Sequence, residues 1–348
     1  MSLRQLVLGT SFSLWPSTLS PGGTMILLRA STFLVAAGLF GCAAPDSELP
    51  LALRHRAPPR LIAIGDLHGD FEAARRALRL GGAIDDSDRW GAGDLVVVQT
   101  GDQFDRGDGE LAILDLLERL ANAAVVAGGA VHVLNGNHEF LNVKGNMRYV
   151  TPGGFAAFRD LPGLELSRAD VASFPENERP RRAAFAPGGP VARRLARRNV
   201  VVIVGDTVFV HGGLLPATVI YGLERVNEES RQWLRGELAE PPEVLLSRWG
   251  PVWSRHFSAD PNEADCALLG RALRMIGAAR MVVGHTVQEG GPRPQCGGLV
   301  WCIDAGLSAH YGGPTALLEI TGSTVRSLVD RKAGAVSAIS EARSAGTN

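Results

Sequence analysis

The sequence predicts an α/β fold built on parallel strands. Three short apolar runs, Leu61-Ile62-Ala63-Ile64, Leu95-Val96-Val97-Val98 and Ala130-Val131-His132-Val133-Leu134, have strand length and alternate with helical stretches. Each run ends in a turn bearing acid, amide or imidazole groups. Short connections in such a β-α-β-α-β order favour parallel strands and right-handed crossovers.

The 348 residues leave room for one large domain or two small ones. Lys and Arg total 35 against 36 Asp and Glu, so neither a nucleic-acid surface nor a bulk acidic partner is indicated. Residues 25–41 have a charged start at Arg29, an apolar stretch and a small residue, Gly41, as a secretory signal does. Cys42 follows directly, and the site resembles a bacterial lipobox. Residues 1–24, with Pro16 and Pro21, are then an upstream extension, and translation is expected to begin at Met25. Ala43 in place of Asp favours the outer membrane. The expectation is an outer-membrane lipoprotein facing the bacterial periplasm, held there only by its N-terminal lipid and otherwise a monomer. Residues 42–59 form its lipidated cysteine and tether, rich in polar residues and proline.

The domain is expected over 60–330. Its first strand runs into Gly65-Asp66-Leu67-His68-Gly69-Asp70, and Asp70 caps a helix from Phe71 to Leu80. The second strand ends in Gly101-Asp102-Gln103-Phe104-Asp105-Arg106-Gly107, followed by a helix through Asn122. The third ends in Asn135-Gly136-Asn137-His138-Glu139. Residues 141–199 break the rhythm and read as an inserted helical cap, either bordering the site or lying on the surface. Asn199–Val204 and Thr207–Val210 form a hairpin around Gly205-Asp206, ending at His211. Helices follow at 223–238 and 263–276. A strand at 280–283 ends at His285, and another at 298–303 ends at Asp304. A last hairpin spans 316–329, and 331–348 is small, polar and expected to be disordered. Cys296 and Cys302 flank Gly297-Gly298 at a spacing that allows a disulfide, unless Cys302 is simply core.

The strand ends collect Asp66, His68, Asp102, Asn137, His211 and His285. These oxygen and imidazole donors, with no thiolate, suit Mn, Fe or Zn. They are too many for one ion with an open position and enough for two, with Asp102 as the natural bridge. Two ions about 3.5–4 Å apart clamp an in-line displacement at phosphorus, and hydroxide held between them is nucleophilic at neutral pH. His138 is placed to protonate a leaving oxygen, with Asp105 to orient it. Arg106 offers a fork for phosphate oxygens, and Arg255 a second. Any one of these turns alone is commonly a solvated turn or a core histidine. Five of them, each after a strand and each bearing a ligand type, are not. His55 falls to the tether, His132 to its strand, and His256 and His310 to a rim.

In order, these motifs resemble those of calcineurin-like metallophosphoesterases of the phosphoprotein phosphatase type. The resemblance implies an α/β/β/α sandwich of two mixed sheets with the dimetal site at one edge. It assigns Asp66, His68 and Asp102 to one metal and Asp102, Asn137, His211 and His285 to the other. It makes His138 the acid and puts Arg106 on phosphate. Asn142–Pro152, Pro251-Val252-Trp253-Ser254-Arg255 and Asp304-Ala305-Gly306-Leu307-Ser308 are similar to the bacterial Shewanella-like phosphatases. That implies hydrolysis of a phosphorylated protein, on tyrosine or on serine/threonine, or of a small phosphomonoester. Two rivals stand beside it: a dinucleoside polyphosphate hydrolase, whose family is similar but carries Asn at the position of Asp105, and a surface lipoprotein that binds without turnover.

Overall fold

A computed structural model describes residues 51–331 and 335–343. The extension at 1–24, the signal at 25–41 and the lipidated Cys42 lie outside the described residues. In chain order the strands are β1 (Arg54–His55), β2 (Arg60–Ile64), β3 (Val96–Gln99), β4 (Ala130–Val133), β5 (Val201–Val204), β6 (Thr207–Val210), β7 (Arg280–Val283), β8 (Arg293–Gln295), β9 (Val300–Cys302), β10 (Thr315–Thr321), β11 (Thr324–Arg331) and β12 (Ala335–Arg343). They form two mixed sheets, ordered β1-β5-β6-β7-β9-β8 and β12-β11-β10-β2-β3-β4. Within the second, β2, β3 and β4 run parallel as expected, and β10 joins β2 antiparallel.

Alternation along each strand explains the layering. Leu61, Ala63, Val96 and Val98 face Val202, Phe209, Val282 and Trp301 of the other sheet. Their neighbours Ile62, Ile64 and Val97 turn the opposite way, onto Ala77, Leu78, Ile113 and Leu117 of the helices Phe71–Leu80 and Glu110–Val126. Strands buried on both faces read as unbroken apolar runs, which is why the sequence exposes them so clearly. On the outer face of the first sheet, Val201, Ile203, Val208 and Met281 pack with Val226, Trp233 and Leu273. The result is the α/β/β/α order.

Three expectations change, and a fourth is filled in. Residues 42–59 are not tether throughout: Leu53 is buried, and β1 pairs with β5, the Ile203 N–H donating to Leu53 O at 2.7 Å. Residues 331–348 are not disordered throughout, because β12 pairs antiparallel with β11 and completes a sheet edge that composition does not announce. The 141–199 insertion is helical, at Pro152–Ala156, Ala169–Ala172, Arg179–Phe185 and Pro190–Leu195. That helicity is as expected, and Phe158, Phe185, Val191 and Leu195 join the insertion to the core of the first sheet. The disulfide links Cys266 to Cys296, while Cys302 is a buried free thiol on β9. Cys302 faces inward with its strand, whereas Cys296 precedes the strand and meets Cys266 of the Glu263–Ile276 helix. Among the described residues no helix is long and apolar enough to cross a membrane.

Candidate active site

The site gathers at the carboxyl ends of parallel strands, where open α/β sheets present ligand-binding loops. Asp66 and His68 follow β2, Asp102 follows β3, Asn137 follows β4, His211 follows β6 and His285 follows β7. The backbone must open to let neighbouring residues converge, and it does so through left-handed turns. His68 has φ +44°, Asp102 +58°, Asp105 +68°, Arg106 +68° and His285 +66°. Such conformations are uncommon outside glycine and cluster at functional sites. Gly101, at φ +105°, has no alternative residue: a Cβ there would stand 2.6 Å from Gly136 N. The first two turns are stitched together, with the Leu67 and His68 N–H groups donating to Asp102 O at 2.9 and 3.0 Å.

All six expected ligands are buried and converge. Asp102 Oδ2 lies 3.9 Å from His68 Nε2 and 3.3 Å from His211 Nε2. Asp66 is 3.9 Å from His68 Nε2 on one side, and Asn137 Oδ1 is 2.9 Å from His211 Nε2 on the other. His285 Nδ1 completes the second group, 3.2 Å from His211 Nε2. Carbonyls set the imidazoles. His68 Nδ1 donates to Phe104 O at 3.1 Å and His211 Nδ1 to Thr100 O at 3.0 Å, which turns each Nε2 inward; Trp253 O, 3.2 Å from His285 Nε2, turns that ring's Nδ1 inward. Asp102, His211 and His285 form one possible metal cluster, and His68, Asp102 and His138 another. In the second, Asp66 stands 3.9 Å from His68 Nε2 as a further carboxylate, and His138 is held through Nδ1 by Asp105.

The electrostatics fit divalent cations. Burial, then Asp304, raises Asp66 well above the usual carboxylate range. Burial also opposes charge on Asp102, but His211 and His138 hold its carboxylate well below that range. Burial opposes protonation of His211, yet Asp102 and Asp66 raise it to about 10. His68 and His285 are lowered to about 3 and about 2, chiefly by burial, and so present neutral lone pairs. Buried carboxylates beside the neutral imidazoles of His68 and His285 form a donor set that positive charge stabilises, and the proton that Asp102 and Asp66 hold on His211 shows that pull.

A second network holds the expected acid. His138 Nδ1 lies 2.5 Å from Asp105 Oδ2, and its Nε2 faces the metal ligands, 3.8 Å from Asp102 Oδ2. Asp105 Oδ1 accepts from Asn142 Nδ2 at 2.9 Å and Arg181 Nη2 at 3.2 Å. Arg106 is half-buried, with Nη1 3.0 Å from His68 Nε2 and its Cζ 5.1 and 5.0 Å from the Tyr149 and Tyr311 ring centres. Arg255 is exposed at the rim, its Nη1 donating to His285 O at 2.6 Å and Thr286 Oγ1 at 3.0 Å.

Comparison with known proteins decides the class. Residues 59–289 match the calcineurin-like phosphoesterase family. Shewanella-like protein phosphatase 2 of Arabidopsis thaliana is 42% identical over 318 residues, covering 81% of each chain. The chain is a calcineurin-like metallophosphoesterase. Shewanella-like protein phosphatase 1 of Plasmodium berghei is 30% identical, covering 73% of this phosphoesterase and 69% of the relative. Among solved structures, a cold-active protein tyrosine phosphatase superposes with TM-score 0.67 at 23% identity, over 80% of this chain and 78% of the other. That likeness is one of fold.

Several residues of the phosphoesterase site escape a reading by motif. Glu139 accepts the N–H groups of Asp102, Gln103 and Gly136 at 2.9, 2.8 and 2.6 Å, tying two ligand turns together. Its place three residues after Gly136, in the first turn of the Asn137–Val143 helix, is a capping signal that could have found it. Asp304, raised to about 6 chiefly by burial, adds a carboxylate beside Asp66. Arg181 and Tyr149 come from the insertion, which therefore borders the site. Glu110, buried at the start of its helix, pairs with Arg181. Tyr149 lies in the Asn142–Pro152 stretch singled out above, whereas no local pattern marks the Arg181–Glu110 pair, whose members are 71 residues apart.

Proposed function

We propose that this phosphoesterase removes phosphate from phosphomonoesters of proteins, phosphotyrosine foremost, with two divalent metals at the strand ends. The observation that carries the reading is the placement of Asp102 Oδ2 between His68 Nε2 and His211 Nε2. Asp66, His68 and Asp102 would hold one ion, and Asp102, Asn137, His211 and His285 the other. Bound there, such ions acidify coordinated water and polarise phosphoryl oxygens. Arg106 and Arg255 orient the phosphate oxygens. His138, its Nδ1–H held by Asp105, presents Nε2–H to the leaving oxygen. Tyr149 and Tyr311 flank Arg106 and offer ring faces to an aromatic leaving group. That the structural neighbour is a cold-active protein tyrosine phosphatase accords with this.

The test is a substrate panel on the Mn-loaded protein: phosphotyrosine, phosphoserine and phosphothreonine peptides beside diadenosine tetraphosphate. Turnover of the phosphotyrosine peptide, abolished by Asp102→Asn, is expected. Faster cleavage of the dinucleotide would move the reading to dinucleoside polyphosphates, and no turnover at all would favour a binding lipoprotein.

We also propose that the enzyme works outside the cytoplasm, in the bacterial periplasm, as an outer-membrane lipoprotein anchored through Cys42. The Cys266–Cys296 disulfide supports this, since such bonds persist in oxidising compartments. Radiolabelled palmitate should enter the expressed protein and be lost in Cys42→Ser.

A further inference from the structure

A cavity of about 350 Å³ lies where β4, at the edge of the second sheet, meets β1, at the edge of the first. It shares no residue with the metal site. His55 and His132 line it from these strands, Glu118 and Ala121 from the Glu110–Val126 helix, and Arg194 and Arg198 from the end of the insertion. Its size is that of a small-molecule site.

Arg198 is the unusual member. It is only 5% exposed, and its Nη1 donates to Gln103 Oε1. Its Nη2 has no hydrogen-bond partner. Glu118 stands 3.9 Å away and is already engaged by Arg194 at 2.8 Å, while Glu139, which acts on Arg198 by charge, accepts three backbone N–H groups. A buried guanidinium nitrogen left without an acceptor is costly, and natural proteins rarely keep one without reason. Burial lowers Arg198 only to about 10, so it stays charged at neutral pH. A fixed positive charge whose Nη2 is unpaired and covered therefore borders a ligand-sized cavity, beside a second guanidinium and two imidazoles. Guanidinium groups of this kind bind oxyanions with paired N–H donors.

We propose that this cavity is a second anion-binding site that takes a small phosphate- or carboxylate-bearing molecule. Arg198 also connects it to the metal centre. Gln103, which accepts from Arg198, adjoins Asp102, and both backbone N–H groups donate to Glu139. An anion that draws Arg198 toward the cavity acts on the turn that carries the bridging ligand.

Equilibrium dialysis of the Mn-loaded full chain against radiolabelled inorganic phosphate, and separately against citrate, tests this. The comparison is with Ala121→Phe, which fills the cavity without touching Arg198, and with Arg198→Gln. Whatever the metal centre retains, the wild type should hold one further equivalent of phosphate or of citrate, bound at least tenfold more weakly by both variants. Phosphate as the preferred anion names the phosphate class, and citrate the carboxylate class. Thermal unfolding establishes that Ala121→Phe is folded. If neither anion shows an equivalent sensitive to Ala121→Phe, the site does not exist, and Arg198 is only a strut between Gln103 and the helix.

Discussion

Arg181 Nη2 lies 3.2 Å from Asp105 Oδ1, with both side chains fully buried, while the other oxygen of that carboxylate takes His138 Nδ1. The insertion thus reaches His138, the proposed acid, through one intermediary. Arg181 also forks onto both oxygens of Glu110, so one guanidinium serves two buried carboxylates. Deleting one partner of such a network costs about 3–5 kcal/mol of stability. Arg181→Lys keeps the charge but loses the fork. Its kcat should fall at least about tenfold on alkyl phosphates, which need a proton on the leaving oxygen, and far less on p-nitrophenyl phosphate. Equal loss on both substrates would make Arg181 structural only.

Asp102 is the one ligand common to both metals in the proposed assignment. Asp102→Asn keeps the shape of the side chain and removes the charge that Oδ2 places between His68 and His211. Loss of a ligating charge should weaken metal retention by about 100-fold. Elemental analysis after desalting should find the variant with at most one Mn where the wild type has two, together with loss of turnover. Two full equivalents of Mn in the variant would contradict the bridge.

His132 gives a pH dependence away from the metal centre. Burial, reinforced by His55 with ring centres 4.2 Å apart, lowers it from 6.5 to about 4. The unfolded chain therefore binds a proton at His132 near pH 6.5, and the folded chain only near pH 4. Between these values the unfolded state holds more protons, so stability falls as pH falls through that window and is unaffected above it. In His132→Gln the drop in Tm from pH 7 to pH 4.5 should be smaller by about 2–4 °C. An unchanged drop would mean that His132 does not contribute.

How much of this is legible in the sequence depends on where each residue's partners lie. Asp66, His68, Asp102, Asn137, His211 and His285 stand in the turn after an apolar run, so a local pattern locates them and the parallel sheet assembles them. Asp105 and His138 sit beside ligands and inherit that visibility. Arg181 pairs with Glu110 across 71 residues, and no local pattern records such a pairing. The strand Arg54–His55 is two residues long and exists only because β5 offers an edge. Cys296 lies six positions from Cys302 but bonds to Cys266 across 30, because β9 turns Cys302 into the core.

The Cys266–Cys296 bridge joins the Glu263–Ile276 helix to the segment just before β9. Closing a loop of 30 residues restricts the unfolded chain by about 3–4 kcal/mol in the chain-entropy account. Cys266→Ser, compared with the oxidised wild type, should lower stability by a similar amount in urea titrations. Activity on p-nitrophenyl phosphate should be retained, since neither cysteine lines the metal site. Equal stability with and without the bridge would mean that native-state strain cancels its effect.

Tyr149 lies 5.0 Å from the His138 ring, Tyr311 lies 5.5 Å from the His68 ring, and Arg106 stands between the two tyrosines. An aromatic leaving group entering over Arg106 would meet ring faces on both sides, whereas a serine or threonine side chain would not reach them. Aromatic pairs add about 0.5–1.5 kcal/mol beyond burial. Tyr311→Ala, a change at an exposed position, should therefore raise KM for a phosphotyrosine peptide by about 2–12-fold and leave that for the matching phosphoserine peptide nearly unchanged. Tyr311→Phe, which keeps the ring, should restore the phosphotyrosine value. A parallel rise for both peptides in Tyr311→Ala would show that the ring supports the fold of the rim and takes no part in choosing the substrate.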